Sequence, residues 1–174
     1  MSTSDPALLL SRLVAGREDR LLHVEEVPAR VGTAVGWPDW VDADLRDAWS
    51  RRGIEFPWAH QAEAADLAHA GRHVVVSTGT ASGKSLAYLM PALTSVVEGS
   101  RAPNGRGATA LYLSPTKALA HDQWRAVEEL RIEGLRVSAY DGDTPDEERA
   151  WIRQHAGYVL TNPDLLHRSM LPGH

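Results

Sequence analysis

The chain reads Thr78-Gly79-Thr80-Ala81-Ser82-Gly83-Lys84-Ser85 directly after the apolar run 73–77 and directly before the helix-like segment 86–90. A strand, a loop of small residues and a helix in this order bring backbone N–H groups and a helix N-terminus close to a phosphate chain. Lys84 would add a point charge beside the β and γ phosphates, and Ser85 a hydroxyl for Mg²⁺. The stretch therefore predicts a nucleoside triphosphate site.

The strict form of this pattern begins with glycine, where the chain has Thr78. A strand followed by a Gly/Ser turn and a helix is also an ordinary α/β connection, and this remains the alternative. Of the 18 basic residues only Lys84 and Lys117 are lysine and the rest are arginine. In so arginine-rich a chain, a lysine at position 84 suggests a chemical requirement that arginine would not meet.

Composition limits the class of protein. A length of 174 residues suits one domain with an N-terminal extension. No stretch approaches the roughly 20 apolar residues of a membrane span, the N-terminus is acidic, and cysteine is absent. We therefore expect a soluble cytoplasmic protein that has no contact with a membrane. The net charge of -5 does not decide for or against nucleic acid, because binding a strand needs only a local basic track.

From residue 59 onward, apolar strands alternate with helical patterns, which predicts an α/β fold with a parallel sheet covered by helices on both faces. Residues 1–36 are expected to form a small helical extension, and a short amphipathic helix is expected within 37–56. The predicted strands are 73–77, 109–113, 136–140 and 158–160. The predicted helices are 59–70, 84–97, 117–130, 145–155 and one that begins at 163.

Several short blocks stand in a fixed order along this pattern. His60-Gln61 lies ahead of the Gly-Lys-Ser loop, and Ser-Pro-Thr-Lys-Ala-Leu-Ala (114–120), Tyr-Asp-Gly-Asp-Thr-Pro (140–145) and Thr-Asn-Pro-Asp-Leu-Leu (161–166) follow the later strands. Together they resemble the first RecA-like domain of superfamily 2 helicases of the DEAD/DEAH type, over residues 37–174. A P-loop kinase or transporter ATPase is disfavoured by the block 115–123.

The resemblance implies a role for each block. Gln61 would hydrogen-bond the adenine of ATP, because its amide carries both donors and an acceptor. Lys84 would be the catalytic lysine, and Ser85 would bind Mg²⁺. Contacts to a strand of nucleic acid, with single-stranded DNA as the expected partner, would come from Pro115, Thr116, Lys117, Gly142 and Thr161.

Purely structural interpretations stand beside three of these roles. The block at Thr116 also reads as an N-capped helix start, and Asn162 before Pro163 reads as another N-cap. Thr144 with Glu147 reads as a capping box, and the carboxylates of the 140–145 loop would repel phosphate. A structural role is therefore favoured for that loop, with Gly142 the point of closest approach to a strand.

Within the superfamily, the loop Thr-Gly-Thr-Ala-Ser-Gly-Lys-Ser is most similar to the DNA-helicase branch that includes mitomycin repair factor A and the fungal RecQ-like repair helicases. The high Arg and Ala content favours an actinobacterial member. Two alternatives remain: an RNA helicase portion, and a non-catalytic module that binds a nucleotide or a partner without turnover.

The Asp-Glu-x-His or Asp-Glu-x-Asp motif of the family is not found in the 174 residues, and Asp146-Glu147-Glu148-Arg149 is rejected because it lies at a helix start. That motif supplies the carboxylates that hold Mg²⁺ and activate water. We therefore expect the front portion of a helicase, with little ATP hydrolysis on its own. We also expect an exposed edge at strand 73–77 that favours self-association.

Overall fold

The computed structural model of the protein describes residues 6–27, 31–79, 82–103, 105 and 107–173. The chain divides into two compact units, one ending at Val31 and one beginning at Gly32. In the first unit, helix α1 spans Pro6–Val14 and a 3₁₀ turn spans Glu18–Arg20. The helical character expected at the N-terminus is therefore confirmed.

The second unit carries six helices and three strands in its described part, followed by a π-helical turn at Leu166–Met170 and a 3₁₀ turn at Leu171–Gly173. In chain order they are α2 (Ala43–Arg51), α3 (Ala59–His69), α4 (Lys84–Ser100), β1 (Ala110–Leu113), α5 (Lys117–Glu128), β2 (Val137–Ala139), α6 (Asp146–His155), β3 (Tyr158–Thr161) and α7 (Pro163–Leu165). No helix in the described ranges combines the length and the apolar character needed to cross a membrane.

The three strands form a parallel sheet in the order β1-β3-β2. Ala110 of β1 and Val137 of β2 both lie opposite Tyr158 of β3, and Leu113 lies opposite Thr161. Because the strands are parallel, the segments that follow all three leave the sheet at the same edge. The loops that begin at residues 114, 140 and 162 therefore gather at the carboxyl edge of the sheet.

Helices cover both faces of the sheet, because alternate residues of each strand point to opposite sides. On one face Tyr158 and Leu160 belong to the main core, with Leu93 and Val97 of α4. On the other face Val159 packs with a second cluster formed by Tyr140, Ile152 and Ala156. The predicted parallel α/β fold with helices on both faces is confirmed.

The tryptophans near the start of the second unit act as packing anchors. Trp37 stacks on Trp49 with 5.5 Å between ring centroids. Trp40 stacks on His69 at 4.1 Å and donates its indole N–H to Asp66 Oδ1 at 2.7 Å. These contacts hold α2 and the residues before it, in agreement with the amphipathic helix predicted within 37–56.

The predicted strand at 73–77 is wrong. Residues 72–79 have no regular secondary structure, and the side chain of Val75 is 94% exposed. Val, the dominant residue of this run, favours strands because it packs well on a pleated, half-buried surface and not through the backbone alone. No strand in the described part of the chain pairs with this segment, so the apolar run has no sheet on which to pack.

Candidate nucleotide and nucleic-acid sites

The phosphate loop leads from residue 78 to the start of α4. Lys84 is the first residue of that helix, and its ammonium donates to the carbonyl oxygens of Thr78 at 2.8 Å and Gly79 at 2.9 Å. The hydroxyls of Thr78 and Ser82 lie 2.6 Å apart. The lysine therefore lies within the loop, at the positive end of a 17-residue helix. The predicted site residues Thr80 and Ala81 lie outside the described residues.

Gln61 is buried and connects α3 to the phosphate loop. Its Oε1 accepts from the N–H of Trp58 at 2.8 Å, and its Nε2 donates to the carbonyl of Gly83 at 2.7 Å. His60 adds a second link, because its Nε2 lies 3.2 Å from the carbonyl oxygen of Ser82. Gln61 thus caps α3 and also holds the residue that precedes α4. Its contact with adenine stays a prediction.

Gly83 is required by the backbone and by this glutamine together. Its φ is +73°, in the left-handed region that side chains other than glycine rarely adopt. A Cβ added to Gly83 would lie 2.5 Å from Nε2 of Gln61. The glycine therefore permits both the turn into α4 and the close approach of the Gln61 amide.

Ser85 is half-buried in the first turn of α4. One turn further on, the hydroxyl of Tyr88 donates to Oε1 of Gln123 on α5 at 2.8 Å. Burial raises the pKa of Tyr88 to about 12. The helix that follows the phosphate loop is thus joined directly to the helix that begins at Lys117.

At the carboxyl edge, the segment after β1 begins with a buried serine. The N–H of Ser114 donates to the carbonyl of Thr161 at 2.8 Å, and its hydroxyl donates to the carbonyl of Thr116, also at 2.8 Å. Thr116 Oγ1 accepts from Leu119 N at 3.2 Å, which confirms the N-capped helix start. Pro115, Thr116 and Lys117 are all exposed, so the structural interpretation and the predicted strand contact are compatible.

The loop after β2 is shaped by its own side chains. Thr144 Oγ1 accepts from Asp141 N at 2.9 Å, and Asp141 Oδ1 accepts from Asp143 N at 2.8 Å. The predicted capping box of Thr144 and Glu147 is wrong: Pro145 is the N-cap of α6 and makes no side-chain cap. The Thr144 hydroxyl is used by Asp141 instead. Gly142 is exposed, and a Cβ there would meet nothing within 4 Å.

Thr161 ends β3 and is 1% exposed. Its hydroxyl is buried and has no hydrogen-bond partner among the residues that the structure describes. The N-cap predicted at Asn162 is confirmed, since Asn162 Oδ1 accepts from Leu165 N at 2.9 Å. Contact between Thr161 and a phosphate would require this hydroxyl to become accessible, and it stays a prediction.

The sequence did not predict the side-chain contacts that Asp141, Asp143 and Arg149 make at this edge. Asp143 Oδ2 lies 2.5 Å from Lys117 Nζ, and Asp141 Oδ2 lies 3.5 Å from His121 Nε2. Arg149 donates to the carbonyls of Asp141 and Gly142, each at 3.3 Å. Only the opposite charge of Lys117 and Asp143 could have suggested the first contact, and their 26-residue separation gives no local pattern.

These contacts shift two pKa values. The hydrogen bond to Asp143 raises the pKa of Lys117. Partial burial opposes ionisation of Asp141, but the N–H of Asp143 and the charges of Lys117 and His121 outweigh it, so the pKa of Asp141 lies below its usual range. Both side chains are therefore charged at neutral pH.

The sequence of residues 58–173 matches the family model described as DEAD/DEAH box helicase. The match covers the phosphate loop, all three strands and the loops that follow them at the carboxyl edge. The chain therefore belongs to the DEAD/DEAH box helicase family, as the resemblance of its motifs predicted.

Individual relatives agree with the DNA-helicase branch. The chain is 41% identical over 122 residues to the ATP-dependent helicase HRQ1 of Saccharomyces cerevisiae, covering 67% of this chain and 11% of that protein. It is 36% identical over 159 residues to the ATP-dependent helicase YprA of Bacillus subtilis, covering 90% of this chain and 20% of that one.

A solved structure is also similar: that of the helicase MrfA bound to DNA and AMPPNP. The TM-score is 0.75 and the identity 36%, over 86% of this chain and 21% of MrfA. The predicted branch is confirmed. This chain spans between about a tenth and about a fifth of the length of these proteins.

Proposed function

We propose that this chain is the ATP-binding and nucleic-acid-binding front portion of an ATP-dependent DNA helicase, with residues 37–174 forming the front of the first RecA-like domain. The observation that supports it most is the Lys84 ammonium, which lies within the Thr78–Ser85 loop at the N-terminus of α4. HRQ1 and YprA are ATP-dependent helicases, and MrfA has been solved with AMPPNP, an ATP analogue.

In this proposal the phosphate chain of ATP is held by backbone N–H groups of the loop and by the dipole of α4. Lys84 neutralises the β and γ phosphates, for which it exchanges its hydrogen bonds to two loop carbonyls. Gln61 recognises the adenine edge and holds Gly83 in place. The complete set of proposed nucleotide-binding residues is Gln61, Thr78, Gly79, Thr80, Ala81, Ser82, Gly83, Lys84 and Ser85.

The residues present fit a magnesium ion that arrives with the nucleotide. The described residues contain no group of three or more His, Cys, Asp or Glu side chains that could hold a metal by themselves. Mg²⁺ in nucleotide sites needs only one or two protein oxygens, because phosphates and waters complete its octahedron. Ser85 would supply that oxygen, and the ion would neutralise charge on the phosphates.

The proposed nucleic-acid site is the carboxyl edge of the sheet, and single-stranded DNA is the proposed partner. Pro115, Thr116 and Lys117 are exposed at the N-terminus of α5, where free amides and a positive dipole favour phosphate. Gly142 offers a backbone without a side chain, and the Thr161 hydroxyl on the strand between them would join the site once it became accessible. In its solved structure MrfA is bound to DNA.

The two lysines of the chain allow a crossed test in which each variant is the control for the other. We would titrate a fluorescent ATP analogue with Mg²⁺, and separately a labelled oligothymidylate, against wild type, Lys84→Ala and Lys117→Ala. Lys84→Ala should lose one charge-assisted contact and weaken nucleotide binding by about ten- to a hundredfold. Lys117→Ala should leave nucleotide binding unchanged and weaken binding of the oligonucleotide.

Equal nucleotide affinities of wild type and Lys84→Ala would refute the phosphate-loop assignment. Failure of wild type to bind the oligonucleotide at low salt would refute the nucleic-acid site and leave the nucleotide site standing. Circular dichroism of each variant would verify that the fold is retained.

Self-association is a further part of the proposal. The edge predicted at 73–77 is not a strand in this structure, so the proposal moves to β1, which pairs only with β3 among the described residues and has Leu111 and Leu113 exposed. An unpaired apolar edge favours association with another chain. Light scattering at rising protein concentration should show a growing mass that Leu111→Lys reduces, and a constant monomer mass would contradict it. We also propose a cytoplasmic location, supported by the absence of cysteine from the sequence.

A further inference from the structure

Lys117 and Asp143 form an ion pair between two loops at the carboxyl edge of the sheet. Nζ of Lys117 lies 2.5 Å from Oδ2 of Asp143. Lys117 opens α5 after β1, whereas Asp143 belongs to the loop after β2. The one lysine of the proposed nucleic-acid site is therefore already matched with a carboxylate of this chain.

The loop keeps Asp143 at this position. The N–H of Asp143 donates to Asp141 Oδ1 at 2.8 Å, and Asp141 N donates to Thr144 Oγ1 at 2.9 Å. The guanidinium of Arg149 donates to the carbonyls of Asp141 and Gly142 in the same loop. The backbone that carries the Asp143 carboxylate is therefore held beside Lys117 by a hydrogen-bonded turn.

The pair is also accessible to solvent. The side chain of Lys117 is 49% exposed and that of Asp143 is 85% exposed. Exposed ion pairs contribute little to stability, because water screens the charges and two side chains lose conformational freedom. A phosphate group can therefore displace Asp143 from Lys117, but the displacement has a cost, and the freed carboxylate stays close to the negative strand.

We propose that Asp143 competes with the phosphates of a bound strand for Lys117 and so limits the affinity of the nucleic-acid site. The inference rests on the proposed function, since it requires Lys117 to contact a strand. Asp141, the second carboxylate of this loop, lies 3.5 Å from His121 Nε2 and is not paired with Lys117. Asp143 therefore determines how tightly this part of the edge holds a strand and how readily it releases it.

The test is a double-mutant cycle between Asp143→Asn and Lys117→Ala, measured by fluorescence anisotropy of a labelled oligothymidylate over a series of KCl concentrations. Asp146→Asn is the matched control: this substitution removes the same charge just after the same loop, and Asp146 is 99% exposed with its carboxylate 3.8 Å from Arg149 Nη1 and not paired with Lys117. All variants change exposed side chains, and circular dichroism would verify their fold.

Asp143→Asn should tighten binding by about two- to fivefold at moderate salt. Its slope of log K against log salt should steepen by up to about 0.7, because one more basic residue becomes fully available to the single strand. In the Lys117→Ala background, Asp143→Asn should increase the affinity for the oligonucleotide by less. The gain should equal that of Asp146→Asn, because only general repulsion between carboxylates and phosphates is then relieved.

If Asp143→Asn and Asp146→Asn have equal effects with Lys117 present, competition for Lys117 is refuted while the nucleic-acid site stands. The same conclusion follows if Asp143→Asn has equal effects in the two lysine backgrounds. If no variant and not even wild type binds the oligonucleotide, the proposed nucleic-acid function fails, and the inference fails with it.

Discussion

The phosphate loop and the carboxyl edge of the sheet differ in how the described chain supports them. The segment that leads into the phosphate loop, residues 72–79, pairs with no described strand and exposes Val75 almost completely. The loops at the carboxyl edge emerge from three paired strands and are fixed by side-chain hydrogen bonds of Ser114, Thr116 and Thr144.

The region with the more specific sequence motif is the one that the described structure supports less. Gly-Lys-Ser is the most specific motif of the chain, yet the segment before it lacks the predicted strand. The motifs at the edge are individually ordinary helix starts, yet paired strands and side-chain hydrogen bonds hold the loops that carry them. A phosphate loop needs mainly its own backbone and a helix N-terminus, whereas a surface that binds a strand needs several loops held in register.

The largest expected effect is a difference in the free energy of unfolding between a substitution in the sheet and one in the segment before the phosphate loop. Leu160 of β3 is fully buried in the main core, whereas Val75 is 94% exposed. Leu160→Ala should lower the free energy of unfolding by about 2–5 kcal/mol through lost burial and a cavity. Val75→Ala should change it by less than about 0.5 kcal/mol. Urea denaturation measures both, and a comparable loss for Val75→Ala would mean that the segment packs on a surface in solution.

The next effect concerns the junction between the phosphate loop and α4. Gly83→Ala should destabilise the protein by about 1–2 kcal/mol, because its φ of +73° is unfavourable for alanine. The added Cβ would also push against the amide of Gln61. Nucleotide binding should weaken as well, because Lys84 follows directly.

Gly142→Ala is the matched control for this substitution, because its φ is not in the left-handed region and a Cβ there meets no atom within 4 Å. It should stay within about 0.5 kcal/mol of wild type. Equal losses for the two glycines would show that the Gln61 contact and the turn do not constrain the loop.

Prediction from the sequence succeeded where the signal is local or periodic. Alternation of apolar runs and helical patterns gave the parallel sheet, and Thr116 and Asn162 gave two N-caps, because caps depend on residues only three positions apart. The strand at 73–77 failed because a strand requires partners that a propensity cannot supply.

The side-chain partners at the sites were not predictable for a related reason. Lys117 with Asp143, Gln61 with Gly83 and Tyr88 with Gln123 join residues 22 to 35 positions apart. Such pairs arise from the relative placement of helices and loops in the fold. The Thr144 capping box failed because the Thr144 hydroxyl accepts from the backbone N–H of Asp141 instead, and Pro145 is the N-cap of α6.

A smaller effect tests the link between the two regions, the hydrogen bond from Tyr88 to Gln123. Tyr88→Phe should cost about 0.5–1.5 kcal/mol at neutral pH, the usual contribution of such a bond. Gln123→Ala should show a comparable loss, and adding it to Tyr88→Phe should cost little more. Full additivity of the two substitutions would contradict a direct bond.

The raised pKa of Tyr88 predicts that the free energy of unfolding depends on pH. Its pKa is raised from 10.0 to about 12 in the folded protein. Below pH 10 both folded and unfolded forms keep the proton, so the contribution to stability is complete. As pH rises from 10 towards 12 the unfolded chain loses the proton first, and the free energy of unfolding falls. Tyr88→Phe should show a shallower fall across this window in urea titrations, and an identical profile would refute the assignment.

The smallest expected effect is that of Lys84 in the phosphate loop on the free energy of unfolding. Among the described residues Lys84 donates to the carbonyls of Thr78 and Gly79, which lie in an exposed segment where water can replace the lysine. Lys84→Ala should therefore change the free energy of unfolding by less than about 0.5 kcal/mol, the usual range for surface substitutions. Urea midpoints of wild type and variant, measured without nucleotide, provide the comparison. A loss above about 1 kcal/mol, a value typical of interactions that hold the fold together, would mean that Lys84 stabilises its loop as well as any ligand. The loop would then be structurally built like the carboxyl edge, and the contrast between the two regions would disappear.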